Sequence, residues 1–476
     1  MDSQPGPSNI SKWVDRRPLT KKDLEEEIRK IMEEESDDNE IPPTESDSEV
    51  DHISVSDHLT DTDADEPSED EGNFYESSLA GTPSSHFYLG KDGTRWSKQH
   101  PPINVRTRAH NLVTHLPGPK GKAKDATTPF EGWNCMISDN MINHIVRYTN
   151  IYIDLSRGKF VRERDAAPTD QREMKALFGL LYYAGVLKSG RLNTLELWEK
   201  DGSGVDIFPA VMSRKRFLFL LTSLRFDDIR DRHTRRQSDK LAPIRELSEL
   251  FKNNIQSSYV ISEYATIDEK LEPFRGRCSF RQYIKSKPAR YGIKIFLLTD
   301  SRTYYTNNFE IYAGKQPEGE YKLQNDPYSV VCRLIKPIEK TGRNITMDNW
   351  FMSIKLMNDL LKNHRLTCVG TIRKNKREVP TAFVTPKNRS EYSSLFAFSE
   401  NKTVVSYCPK KGKVVLVGST MHNDDCINSE SEKQKPEIIE FYNLTKGGVD
   451  TVDTVEYNPH NYVDYILYPG GRKGGH

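Results

Sequence analysis

The chain has 476 residues, 35% of them hydrophobic and 29% charged, which is length enough for two or more hydrophobic cores. Mean hydropathy is −0.72, Met1-Asp2-Ser3-Gln4-Pro5 opens no apolar leader, and no stretch nears membrane-spanning length, so a soluble protein is expected and an integral membrane one is not. Its six cysteines include no Cys-x-x-Cys pair, which speaks against a zinc module and fits a reducing compartment.

The 69 basic and 69 acidic residues cancel in total but not locally. Residues 23–72 hold 22 acidic residues against two basic ones, so the remainder is a basic body. That distribution suits a polyanionic partner, with the acidic segment competing for the same surface. It suits a plain solubilising tail equally well.

Residues 1–84 are expected to form a disordered acidic tail, interrupted by one short helical pattern at Leu24, Ile28 and Ile31. Three amphipathic helices follow. The first carries Met141, Ile142, Ile145 and Val146, and the second Met174, Leu177, Phe178 and Leu181. The third, behind a cap at Ser213, buries Phe217, Leu220, Leu221 and Leu224. The opposite face of the third shows Arg214, Lys215, Arg216 and Arg225, which either meet DNA or are simply solvated. A further helix through Leu241, Ile244, Leu247 and Leu250 leads into a β-rich region.

Strands are expected at 264–267, 293–298, 303–305, 344–347 and 366–371. Helices are expected at 327–335, where Pro327 suits a first turn, and at 353–362, capped by Ser353. Segments 403–407 and 413–418 pair as a hairpin turning over Pro409-Lys410-Lys411-Gly412. Strands followed by strand–helix alternation resemble an RNase H-like α/β fold, although this order alone does not separate it from other α/β sheets.

Asp268, Asp348 and Asp450 lie far apart in sequence, two at strand ends and one after Gly447-Gly448. Carboxylates so placed are what a two-metal phosphoryl-transfer site needs, with Mg²⁺ ions about 3.5–4 Å apart. Strand-end and capping roles account for the same pattern. Glu269 follows Asp268 on a strand, so its side chain points away and it is not expected to be a ligand.

The surrounding words decide between these readings. They include Ser213-Arg214-Lys215-Arg216-Phe217, Leu224-Arg225-Phe226-Asp227-Asp228, Asp268-Glu269 with Phe274-Arg275-Gly276-Arg277, and Tyr283-Ile284-Lys285 with Lys287-Pro288. Tyr312-Ala313-Gly314-Lys315, Met347-Asp348-Asn349-Trp350-Phe351 and Gly370-Thr371-Ile372-Arg373-Lys374-Asn375 follow in order. Tyr442-Asn443 with Lys446-Gly447-Gly448-Val449-Asp450 completes the set. Together they resemble the piggyBac family of cut-and-paste DNA transposases, from about residue 85 to Asp453.

The resemblance implies a catalytic, metal-binding triad of Asp268, Asp348 and Asp450 with two Mg²⁺ or Mn²⁺ ions. Asp453 becomes a fourth acidic position, either a metal ligand or a first-turn carboxylate favouring the helix dipole. Arg275, Arg277, Lys285 and Lys287 would clamp phosphates, and Arg373 and Lys374 would contact the DNA backbone. Trp350 would either stack on an unpaired base or anchor its strand in the core.

The implied organisation is a helical dimerisation and DNA-binding region at 85–260 and an RNase H-like core at 261–365. An insertion domain occupies 366–436, and the core returns at 437–453 with the third aspartate. A nuclear homodimer acting on double-stranded DNA ends and joining them at TTAA is the implied assembly. Segment 454–476 departs from the family pattern, with Pro459 blocking further helix, and reads as a C-terminal truncation. That departure keeps two alternatives open, a domesticated non-catalytic DNA-binding or regulatory protein and a decaying element remnant.

Overall fold

A computed structural model of the chain describes residues 86–101, 113, 115–187, 193–274, 276, 278–285, 287 and 290–457, and the backbone at 54–55. The remainder of the expected acidic tail with its helix at Leu24, the cations Arg275 and Arg277, and everything beyond 457 lie outside the described residues. The chain separates into two units, one containing Met136–Phe251 and the other containing Glu49–Cys135 and Lys252–Val455.

The first unit is helical. Helices α1 (Asp139–Ser156), α2 (Gln171–Val186) and α3 (Arg214–Ser223) bury Met141, Ile142, Ile145 and Ile153, then Met174, Leu177 and Leu180, then Phe217 and Leu220. This is the three-to-four spacing of an apolar stripe. Side-chain caps start two of them: Asp170 accepts from the Glu173 amide at 2.8 Å, and Ser213 accepts from the Arg216 amide at 3.3 Å. Two of the cations expected on the outer face of α3 are committed to the fold. Arg216 grips Glu173 with two bonds of 2.6 Å and donates to the carbonyls of Ala167 and Pro168. Arg225 lies 3.5 Å over the Tyr152 ring and donates to the carbonyls of Thr222 and Leu224. The following helix, α4 (Arg245–Ser258), begins later than Leu241, because the Asp239 carboxylate holds the Leu241 amide and the Arg245 guanidinium.

The second unit is built on one mixed sheet. Besides the two short edge strands Gln282–Tyr283, which pairs with the start of β4, and Ser54–Val55 beyond it, its strands are β1 (Phe87–Leu89), β2 (Arg95–Ser97), β3 (Tyr264–Pro273), β4 (Tyr291–Asp300), β5 (Thr306–Ile311), β6 (Asn344–Met347), β7 (Thr367–Thr371), β8 (Ser394–Ser399), β9 (Lys402–Lys410) and β10 (Lys413–Ser419). The spatial order is β5–β4–β3–β6–β7–β10–β9–β8–β2–β1. The β3–β6 and β6–β7 pairs are parallel and the other pairs along this path are antiparallel. The hairpin strands β9 and β10 therefore continue the central sheet through β7. Their two-residue turn places Gly412 at φ 80°, where a left-handed residue is required.

The expected strand at 303–305 is a turn. Asp300 accepts from the amides of Arg302 and Thr303, Tyr304 takes φ 61°, and pairing resumes only in β5. Helices α5 (Pro327–Leu334) and α6 (Ile354–Lys362) are capped by Asp326 and Ser353, with Pro327 in the first turn of α5.

Alternation along the strands sorts the two faces. Ala265, Ile267, Phe296, Leu298, Ile345, Met347 and Cys368 form one core with Val330, Val331 and Leu334 of α5 and Leu356, Met357 and Leu360 of α6. On the other face, Val369, Val405, Tyr407 and Val417 pack with Ile438 and Ile439 of helix α7 (Glu437–Thr445). Helix α8 (Gly448–Tyr457) follows two residues later.

Leu360 is fully buried where α6 meets the first core. Leu360→Ala should lower the stability of this unit by about 2–5 kcal/mol in denaturant unfolding. A loss below about 1 kcal/mol would mean that α6 is not packed as described.

Candidate active site

Register brings the first two aspartates together. In the parallel β3–β6 pair, Thr266 lies opposite Thr346 and Ile267 opposite Met347. One further step along both strands sets Asp268 beside Asp348, at the roughly 4.8 Å spacing of neighbouring strands. Both side chains leave on the face of α7, because they share the alternation of Thr266 and Thr346. Asp348 stands where β6 ends, and its Oδ1 accepts from the amides of Trp350 at 2.9 Å and Phe351 at 3.4 Å. Asp268 Oδ1 accepts from the Glu269 amide at 2.8 Å.

The third aspartate is delivered by a joint of threonines. Thr266 Oγ1 donates to the Thr445 carbonyl at 2.6 Å, and Thr346 Oγ1 pairs with Thr445 Oγ1 at 2.7 Å. The last residue of α7 is thus bonded to the residues two positions before Asp268 and Asp348. From there the chain passes Gly447-Gly448 into α8, and Asp450 sits in its first turn. The sequence suggests that these glycines serve a tight turn. Neither is among the residues with positive φ, and Gly448 is required for close approach instead. A Cβ there would lie 2.5 Å from Thr266 Oγ1, whereas one at Gly447 would meet nothing within 4 Å.

The three aspartates line one cleft of about 860 Å³. Among the residues expected to touch DNA, Lys287, Arg373 and Lys374 line it too. Lys287 Nζ lies 4.0 Å from Asp450 Oδ1 and donates to the Glu269 carbonyl at 3.0 Å. Arg373 donates to Asn349 at 3.4 Å. Lys285 is exposed outside the lining. Trp350 belongs to the other face, stacked on Phe296 at 5.5 Å and 10°, because its position after the strand end turns it towards the first core. The backbone of Asp453 lies in α8, and its side chain is outside the described residues.

Motif reading assigned no role to Lys413, Lys435, Lys446, Tyr442 or Asn443, all of which line the cleft. Lys446 and Tyr442 sit in the word that holds Asp450, a signal that could have found them. Lys413 and Lys435 arrive through the pairing of β10 with β7 and the approach to α7, for which the local sequence carries no sign.

Charge accumulates at the floor of this cleft. Burial, then the carboxylates of Glu269 and Asp348, pushes Asp268 well above the ordinary carboxylate range, against the pull of the Lys287 ammonium. Burial and then Glu269 raise Asp348 to about 6, opposed by the two amides it accepts from and by Arg373. Behind the floor, on the opposite face, Lys294 is 1% exposed and lies 4.9 Å from the Phe296 ring and 5.3 Å from Trp350. Burial drives its ammonium down to about 8, while Glu269, Asp348 and Asp268 oppose the fall. An all-oxygen donor set with mutually destabilised carboxylates fits hard divalent cations such as Mg²⁺ or Mn²⁺.

A model of the family described as Transposase IS4 matches residues 128–460. Human PiggyBac transposable element-derived protein 3 is 25% identical over 342 residues, covering 68% of this chain and 55% of that protein. Human PiggyBac transposable element-derived protein 2 is 24% identical over 346 residues with the same two coverages. The chain thus spans about half the length of these curated relatives. Among solved structures, a piggyBac transposase synaptic complex with hairpin DNA superposes with a TM-score of 0.66 at 38% identity, covering 72% of this chain and 70% of that one.

Two outcomes test this geometry. Gly448→Ala should destabilise the unit by roughly 1–3 kcal/mol in thermal unfolding, with Gly447→Ala close to wild type. Equal effects at the two glycines would contradict the close approach to Thr266. The second concerns Asp348, whose folded pKa lies above its unfolded one, so ionising it costs stability. That cost is absent below the unfolded value of about 3.9 and complete above about 6. Without divalent cations, Asp348→Asn should therefore stabilise the protein at pH 7 by on the order of 2 kcal/mol, with the gain gone by about pH 4. Melting curves across pH measure it, and a gain that grows as pH falls would refute the assignment.

Proposed function

Since the chain belongs to the piggyBac transposase family, we propose that it is a DNA strand-cleaving and strand-joining enzyme with Asp268, Asp348 and Asp450 as its catalytic carboxylates. The observation that carries this reading is the shared register of Asp268 and Asp348, with Asp450 lining the same cleft just after Thr445, which is bonded to both strands. The strand order β5–β4–β3–β6–β7, three antiparallel strands followed by two parallel ones, supports an RNase H-like core. The helical unit takes the part of a dimerisation and DNA-binding region, and the strands that follow β7, up to residue 436, take that of an insertion domain, with β7 itself counted in the core.

In this reading the three aspartates hold two Mg²⁺ ions, with Asp453 a further acidic group on the same helix. These carboxylates would hold the ions, whose charge would stabilise the attacking and leaving oxygens of an in-line displacement at phosphorus. The chain's own residues do the rest. Lys287 places its ammonium beside Asp450, where a scissile phosphate oxygen can take up its charge. Arg373, Lys374, Lys413, Lys435 and Lys446 line the path of the DNA backbone, Arg as a planar fork and Lys as a point charge. Thr266, Thr346 and Thr445 keep the carboxylates in register while the phosphate passes. The substrate is DNA in the nucleus, held by two copies of the chain at transposon ends and TTAA targets. Trp350, packed behind the floor, supports Asp348 rather than a base.

Supercoiled plasmid nicking with Mn²⁺ tests the reading, alongside the melting temperature of the full chain with and without the ion. The wild type should nick and gain stability. Asp268→Asn and Asp450→Asn should each lose about 100-fold or more in rate, the equivalent of several kcal/mol of charge stabilisation. Binding to a duplex should persist in both, weakening steeply with salt. Nicking that survives Asp268→Asn would overturn the assignment. Salt-sensitive binding without nicking or a metal-dependent shift would establish a DNA-binding protein that no longer cuts.

A further inference from the structure

Apart from the cleft, the described residues contain one cluster of metal-ligand type. Cys332 lies in α5, Asp359 in the last turn of α6 and His364 two residues beyond it. One ligand atom from each falls within 4.8 Å of the others. We propose that Cys332, Asp359 and His364 form a second metal site, for a borderline-soft divalent ion of the zinc type, that fastens α5 to the end of α6.

The donor chemistry differs from that of the cleft. Sulfur, imidazole nitrogen and one carboxylate select Zn²⁺ or Co²⁺, whereas three carboxylates select Mg²⁺ or Mn²⁺. Three protein donors leave the fourth tetrahedral position to water. The groups behind the donors are also those of a built site. Glu339 Oε1 lies 3.1 Å from His364 Nδ1, so this carboxylate can hold the proton on Nδ1 and leave the Nε2 lone pair for a metal. Nε2 faces Asp359 Oδ2 at 3.1 Å. Asp359 is itself oriented from two sides, accepting from Tyr328 Oη at 2.8 Å and Asn363 Nδ2 at 2.5 Å.

The backbone fixes the separation of Asp359 and His364. Arg365 takes φ 52°, the Leu366 amide bonds to the Leu360 carbonyl at 2.9 Å, and the His364 carbonyl accepts from the Lys340 amide at 2.7 Å. The amides of Asn363 and His364 both bond to the Asp359 carbonyl, at 2.9 and 3.4 Å, which keeps the imidazole close to the Asp359 side chain. His364 is 20% and Asp359 17% exposed, so an ion in solvent can reach both. Without the ion, the imidazole bridges Glu339 and Asp359. With it, Nε2, an Asp359 carboxylate oxygen and the Cys332 sulfur bind the metal, the proton that Nε2 shared with Asp359 and the thiol proton both leave to solvent, and Nδ1 keeps its bond to Glu339.

The test is a Co²⁺ titration of the chelator-stripped full chain. A thiolate-to-cobalt charge-transfer band should grow and saturate at a single ion per chain, and Zn²⁺ should abolish it. Cys332→Ser should remove the band, while Asp268→Asn should leave it intact, which separates this site from the cleft. Glu339→Gln should keep the band but weaken cobalt affinity by roughly 10–100-fold, a readout that serves even where Cys332→Ser does not fold. No band in the wild type, a band that survives Cys332→Ser in folded protein, or unchanged affinity in Glu339→Gln would overturn the proposal.

Discussion

Thr445 is the residue on which the geometry of the cleft turns. Its carbonyl and hydroxyl receive the hydroxyls of two adjacent strands, so the end of α7 is bonded to β3 and β6 together. Gly448 then lets α8 start against Thr266. Asp268 and Asp348 are set by strand register, a property of many ladder bonds, but Asp450 depends on this small group of hydroxyl contacts. Neutral hydrogen bonds contribute about 0.5–1.5 kcal/mol each. The third carboxylate is therefore held in place locally, and a single side chain has unusual leverage over it.

The sheet divides labour between its faces. One face is an apolar core under α5 and α6, and the other joins a smaller apolar cluster under α7 to the threonines and carboxylates of the cleft. Glu269, Lys294, Phe296 and Trp350 occupy the first face directly behind the aspartates. A buried ammonium there offsets part of the negative charge through the thickness of the sheet. This arrangement explains why aromatic residues follow Asp348 without lining the cleft: they enclose the cation that sits behind it.

Much of this was legible in the sequence, and for physical reasons. Ser213, Ser353 and Pro327 mark helix starts because capping chemistry is local. The strand 344–347 reads directly from its apolar alternation. Asp268, Asp348 and Asp450 were found through the words around them, and the cleft gathers all three. The misreadings involve contacts that are distant along the chain. The face of α3 looks free for DNA until Glu173, far upstream, takes Arg216. The 303–305 segment is the local exception: its residues are strand-like, but the nearby Asp300 side chain takes the amides of Arg302 and Thr303 and turns the chain. Lys413 and Lys435 reach the cleft only because β10 pairs with β7. The Cys332, Asp359 and His364 cluster has no spacing signature, since its donors come from separate elements.

The position of the Thr445 joint has a consequence for biosynthesis. The β3–β6 ladder, with two carboxylates side by side, can form as soon as residue 348 has left the ribosome. Thr445 and Asp450 are still about a hundred residues away, several seconds of translation at about 5–20 residues per second. During that interval the nascent chain holds two of the three carboxylates of the cleft and lacks the third. The three-carboxylate cleft becomes complete only when the end of the sheet domain is made.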